Sequence, residues 1–146
     1  MAFFAGATPV LAQNKAILNL VRGREFLAEN AKRSGVKTTA SGLQYEVIKD
    51  GTGASPKAKD VVVAHYRGTT IKGEEFDSSY SRGEPMAFPL NRVIAGWTEA
   101  LQLMKVGAKW KIFVPAGLAY GADGAGDKIG PNETLIFEIE LIAIKS

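Results

Sequence analysis

The 146 residues contain no cysteine and a single histidine, His65. Without cysteine there are no disulfides and no thiolate metal sites, and the redox compartment stays open. With one histidine, no Gly-x-Ser-x-Gly and no Cys nucleophile, acyl transfer by a Ser-His or Cys-His pair has little to stand on. A lone histidine inside a β-branched run reads as a packed, hydrogen-bonded residue. Clustered metal ligands are also missing: Glu74-Glu75 is adjacent in a turn and points two ways, so no metal and no cofactor are expected. No run approaches the roughly 18 apolar residues of a membrane span. An excess of one charge sign is missing as well, with 18 basic residues against 15 acidic. The net +3 divides into +4 over residues 1–37, from Lys15, Arg22, Arg24, Lys32, Arg33 and Lys37 against Glu25 and Glu29, and −1 over the rest. A nucleic-acid binder would keep its basic surface on the folded body, so nucleic acid is not an expected partner.

What is present is an average globular composition, 46% hydrophobic and 23% charged, in a length typical of one domain. Residues 1–12 are small and apolar, and Val10-Leu11-Ala12 resembles the small-x-small site of a secretory signal, without its basic n-region. They read equally as a signal remnant or a disordered terminus. This leaves the location between periplasmic or otherwise exported and, as the alternative, cytoplasmic. From Asn14 to about Arg33 the residues favour helix, with Ile17, Leu20, Val21, Leu27, Ala28 and Ala31 on one face. This predicts an amphipathic arm over 13–36, weakened at Gly23, that needs a partner surface, either its own domain or the arm of a second chain. The break at Arg24 argues against a long coiled coil, so a monomer or a weak homodimer through 13–36 is expected. Ser34-Gly35 ends the helix, and Lys37–Gly42 reads as a linker opening a second unit over 37–146.

From Leu43 the period becomes two. Leu43–Ile48 alternates, Val61–Tyr66 is β-branched and aromatic, and Lys109–Val114 and Thr134–Ile142 alternate with one wet and one dry face each, between Gly-rich punctuation. Val93–Met104 is the exception: Trp97, Leu101 and Met104 repeat at i, i+4 and i+7 on a short apolar helix with Gly107 at its expected cap. Four or more antiparallel strands and one internal helix predict an α+β fold, a strongly twisted antiparallel sheet curled over that helix and preceded by the N-terminal helix. The run Gly121–Gly130 fits neither a dinucleotide fingerprint nor a P-loop, and reads as a flexible flap.

The aromatic and aliphatic residues left at segment ends carry a resemblance. Ala64-His65-Tyr66-Arg67-Gly68, Phe76-Asp77-Ser78-Ser79, Val93-Ile94-Ala95-Gly96-Trp97, Ala119-Tyr120-Gly121 and Ile129–Phe137 follow the order and near spacing of the FKBP family, the macrolide-binding peptidyl-prolyl isomerases. The match covers about residues 40–146. Asn132-Glu133-Thr134-Leu135 and the helical arm before Ser41–Tyr45 look most like the bacterial branch related to the macrophage infectivity potentiators. The resemblance implies isomerisation of X-Pro bonds in proteins. It sets Trp97 under the proline ring, with Tyr66, Phe76, Met86, Phe88, Val93, Ile129 and Phe137 binding substrate. Ile94 would offer its N–H and Tyr120 its hydroxyl to substrate carbonyls, and Asp77, held by Arg82, would be the one polar wall. Met86 stands where many members have an aromatic residue, and Lys128 where an aliphatic one is common. The implied partners are proline-containing peptides, unfolded proteins and macrolides such as rapamycin. A non-catalytic proline-segment or macrolide-binding module, or a chaperone of the same fold, is the alternative.

Overall fold

The computed structural model describes residues 10–145, with side chains from Asn14 onward. Residues 1–9 of the signal-like segment lie outside it, while Val10–Ala12 begin the first helix, α1 (Val10–Asn30). Seven strands follow: β1 (Val36–Thr38), β2 (Gln44–Lys49), β3 (Val61–Thr70), β4 (Glu75–Ser78), β5 (Met86–Pro89), β6 (Lys109–Val114) and β7 (Leu135–Lys145). Two further helices, α2 (Ser79–Arg82) and α3 (Ala95–Leu103), interrupt them. The sheet is antiparallel throughout, in the order β1-β2-β6-β7-β3-β4, with β5 on the same edge of β3 as β4.

The expected α+β architecture is present, with α3 against the inner face. There the alternation predicted from sequence buries Leu135, Phe137, Ile139 and Leu141 of β7 and Trp110, Ile112 and Val114 of β6, against Trp97, Ala100 and Leu101 of α3 and Met104 at its C-cap. The outer face is a charge ladder. Glu46, Lys111, Glu138 and Arg67 stand in register on four neighbouring strands, where alternating signs side by side are favourable. His65 lies on β3, its Nδ1 2.8 Å from the buried Ser79 hydroxyl and its ring stacked on Tyr80.

Where α1 packs, the expectation fails. The stripe read from sequence faces mostly outward: Ile17 is 59% exposed, Val21 46%, and Ala28 and Ala31 are exposed too. The face on the body is Asn19, Gly23, Phe26, Leu27 and Asn30. Gly23 lies so close to Thr134 that a Cβ there would collide with its hydroxyl. It is therefore a close-approach glycine, and its helix-weakening cost is accepted for fit. Phe26 packs on Phe113, ring centroids 6.0 Å apart, and buried Asn30 donates to Gln44 (2.8 Å), whose own amide donates to the Leu27 carbonyl (2.9 Å). Hydrogen bonds satisfy these buried amides, so an amide face docks as well as an apolar one. Periodicity cannot distinguish the two. The helix also stops at Asn30, earlier than expected, and the stretch read as a linker supplies Lys37 and Thr38 to β1, paired with Tyr45 and Gln44.

Candidate functional site

The site is built where β3 changes partners. Its first half pairs with β5 (Val61–Ala64) and its second with β4 (Arg67–Thr69). Between them Tyr66 has no strand on that side, and its N–H donates to Ser79 Oγ instead (2.7 Å). Opposite, α3 enters with Trp97. Around a cavity of about 460 Å³ stand Tyr66, Phe76, Asp77, Met86, Phe88, Arg92, Val93, Ile94, Trp97, Tyr120 and Phe137. The floor is aromatic: Trp97 meets Tyr66 (4.9 Å, 74°) and Phe137 (5.2 Å, 84°) edge to face and Phe88 at 5.4 Å. Such pairs add to the apolar burial and fix ring orientation. Gly68 makes room for this wall, since a Cβ there would sit 2.6 Å from Phe76 and 2.8 Å from Phe137.

The polar side is one cluster. Tyr66 donates to Asp77 Oδ2 (2.6 Å); Arg82 donates to Asp77 Oδ1 (2.5 Å) and to the Tyr66 hydroxyl (2.8 Å). Burial by itself would raise the Asp77 carboxyl, but the hydrogen bonds from Tyr66 and Arg82 and the guanidinium charge outweigh it and hold it below the ordinary carboxylate value. Burial, then the bond to Asp77, raises the Tyr66 phenol above its own, against the opposing pull of Arg82. Arg82, bonded to both, is raised further still and stays a cation. These shifts fix charge and orientation, and no member of the cluster is poised to exchange a proton near neutrality.

Trp97 Nε1 is the one buried side-chain nitrogen or oxygen without a hydrogen-bond partner among the described residues. Ile94, at the N-cap of α3, accepts from Trp97 and Thr98 through its carbonyl, while its residue lines the cavity. Tyr120 stands at the rim, 41% exposed.

Ten of the eleven residues expected from sequence line this cavity. The exception is Ile129, which is buried in the core beside it, bridged to Ala125 across the Gly-rich loop. The loop itself is less open than a flexible flap: Ala125 and Ile129 exchange backbone bonds of 2.9 and 3.2 Å, and Glu133 accepts from the Gly130 N–H. Sequence reasoning missed Arg92, which precedes Val93-Ile94 in the turn Leu90–Arg92 and brings an exposed cation to the rim. Its place next to the Val-Ile pair was the only signal. No group of three or more His, Asp or Glu that could hold a metal occurs among the described residues.

Comparison with known proteins agrees with this geometry. A family model described as FKBP-type peptidyl-prolyl cis-trans isomerase matches residues 53–142, and one for the domain amino-terminal to it matches residues 5–47. The FKBP-type peptidyl-prolyl cis-trans isomerase FkpA of Aeromonas hydrophila is 56% identical over 94% of this chain and 51% of its own length. The outer membrane protein MIP of Legionella longbeachae is 51% identical over 90% of this chain and 56% of its own. The chain thus spans about half the length of these curated relatives. The crystal structure of FkpA from Escherichia coli superposes with a TM-score of 0.88 at 47% identity, covering 92% of this chain and 62% of that one. With the aromatic cavity, the strand order and the sequence in agreement, the chain belongs to the FKBP-type peptidyl-prolyl cis-trans isomerase family.

Proposed function

We propose that the chain catalyses cis-trans isomerisation of X-Pro peptide bonds in proteins, acting as a folding helper. The observation that carries this is the aromatic cavity floored by Trp97, in which the Asp77 carboxylate is neutralised by Arg82. Rotation about the bond faces a barrier of about 18–20 kcal/mol from amide resonance, and uncatalysed it takes tens to hundreds of seconds. Resonance places charge on the carbonyl oxygen, and that charge fades as the bond twists. Moving the amide from water into this cavity therefore costs the planar ground state more than the twisted transition state. Roughly 4 kcal/mol of such differential binding yields about a thousandfold in rate. The equilibrium between isomers is unchanged.

In this reading Tyr66, Phe76, Met86, Phe88, Val93, Trp97 and Phe137 hold the proline and its neighbours, and Ile129 supports them from the core. Ile94 and Tyr120 orient the substrate carbonyls, and Asp77 fixes Tyr66 and Arg82. Substrates are proline-containing peptides and unfolded proteins, and macrolides such as rapamycin would compete for the same cavity. Residues 13–36 form an arm and 37–146 the isomerase domain. The exposed Ile17, Leu18 and Val21 support either client contact or weak self-association through the arm. Export to the periplasm or beyond fits the outer-membrane naming of the Legionella relative; no helix among the described residues is long and apolar enough to cross a membrane. A protease-coupled assay on a proline tetrapeptide tests the reading. A rate indistinguishable from the uncatalysed one would leave a binding module or chaperone of the same fold.

A further inference from the structure

We propose that Met86 is a peroxide-sensitive modification site whose oxidation lowers activity at the cavity, an inference that rests on the isomerase reading above. The chain has three methionines and no cysteine, so no thiol competes for a mild oxidant. Met104, at the C-cap of α3, is fully buried, and Met1 lies outside the described residues. Met86 is 47% exposed and lines the cavity mouth on β5. Its sulfur stands 3.7 Å from the Tyr66 hydroxyl, whose proton goes to Asp77 at 2.6 Å. In the native state the thioether is a weak acceptor that loses this competition.

Oxidation changes that balance. A sulfur lone pair attacks one oxygen of a hydroperoxide; the S–O bond forms as the O–O bond breaks. Sulfur gives up two electrons, and the peroxide leaves as water, or as an alcohol, after taking up a proton. The thioether becomes a sulfoxide, whose oxygen is a strong acceptor on a polar, chiral side chain. Next to the Tyr66 hydroxyl, that oxygen competes with Asp77 for the phenol proton. It also sets a dipole in a wall whose effect on the amide depends on being apolar. Activity falls, and a methionine sulfoxide reductase supplied with a dithiol restores it: the dithiol is oxidised to a disulfide and the oxygen leaves as water.

The test treats the protein with dilute hydrogen peroxide and follows two readouts together: oxygen gain at each methionine by peptide mapping, and kcat/KM on a proline tetrapeptide. Met86 should oxidise while Met104 stays intact, and kcat/KM should fall on the order of tenfold in step with it. Methionine sulfoxide reductases should return the rate, and Met86→Leu, whatever its own basal rate, should show a treated-to-untreated ratio near one. Three outcomes overturn the proposal: Met86 oxidising no faster than Met104, full oxidation of Met86 with the rate unchanged, or equal loss in Met86→Leu. A missing rate in the untreated protein would instead overturn the isomerase reading, and this inference with it.

Discussion

Trp97 is both core and cavity floor. It is 6% exposed and touches Tyr66, Phe88 and Phe137. Trp97→Leu keeps an apolar side chain but leaves three rings without their partner. It should cost about 2–3 kcal/mol in urea unfolding while the fold persists. It should also lose most of the affinity for rapamycin and part of the isomerase rate. Rapamycin binding at the parent's strength would place the cavity elsewhere. Asp77 gives a second prediction through its charge. With its carboxyl held low and Tyr66 held high, neither changes state between about pH 6 and 8, and His65 does not line the cavity. The profile of kcat/KM should be flat across that range, and a bell-shaped one would point to general acid-base work. The depressed carboxyl also has a stability consequence of definite sign. Its contribution is fully present above the unfolded value near 4 and is lost as pH falls through the lower folded value. Asp77→Asn should remove that part of the acid sensitivity, read as a smaller drop in Tm from neutral pH to below about 4.

At the scale of elements, what was legible depended on whether one physical cause decided the outcome. Strands β2, β6 and β7 alternate because one face is buried, and the alternation is visible in the sequence, while β3 is marked instead by its β-branched and aromatic run. β4 and β5 are four residues each, too short for a period to register, and β1 is a polar segment recruited by pairing with β2. Ten of the eleven cavity-lining residues were named from the sequence only because several motifs stood together in order; no periodicity marks Met86 or Tyr120. Arg92 was missed because a cation on a turn carries no pattern. α1 shows the clearest limit. Its apolar period is real, but which ridge meets the body was decided by Gly23 against Thr134 and by the Asn30-Gln44 amide pair. The docking makes a direct prediction. Gly23→Val would push the helix off Thr134, and it should cost about 1–3 kcal/mol in unfolding and loosen α1 in hydrogen exchange. The outward substitution Val21→Ala should cost little of either. If both variants behave alike, the helix does not dock by this face.

For the whole molecule the question is how far the arm and the cavity depend on each other. Every cavity-lining residue follows Tyr45 in the chain, which argues for independence. Against it, Asn19 donates to the Pro131 carbonyl (2.9 Å) and Asn132 to that of Ala16 (3.3 Å), while the Asn132 N–H donates to Gly121, next to Tyr120. A short path therefore runs from α1 to the rim. It reaches only Tyr120, and the Trp97 floor and the Tyr66-Asp77-Arg82 cluster do not touch it. Deleting residues 1–30 should lower Tm, because it uncovers Phe113 and leaves the Gln44 amide without Asn30 and Leu27. Measured well below that Tm, the tetrapeptide rate should stay within about twofold, since distant sites act nearly independently. The refolding of a proline-limited protein should suffer more, because Ile17, Leu18 and Val21 present an apolar surface to an unfolded client and a second contact raises the effective concentration of its prolines at the cavity. The two rates, each with and without the arm, separate the cases. Equal loss of both would mean that the Asn132-Gly121 path governs the cavity, and no loss of either would remove client capture as the role of the outward face of α1.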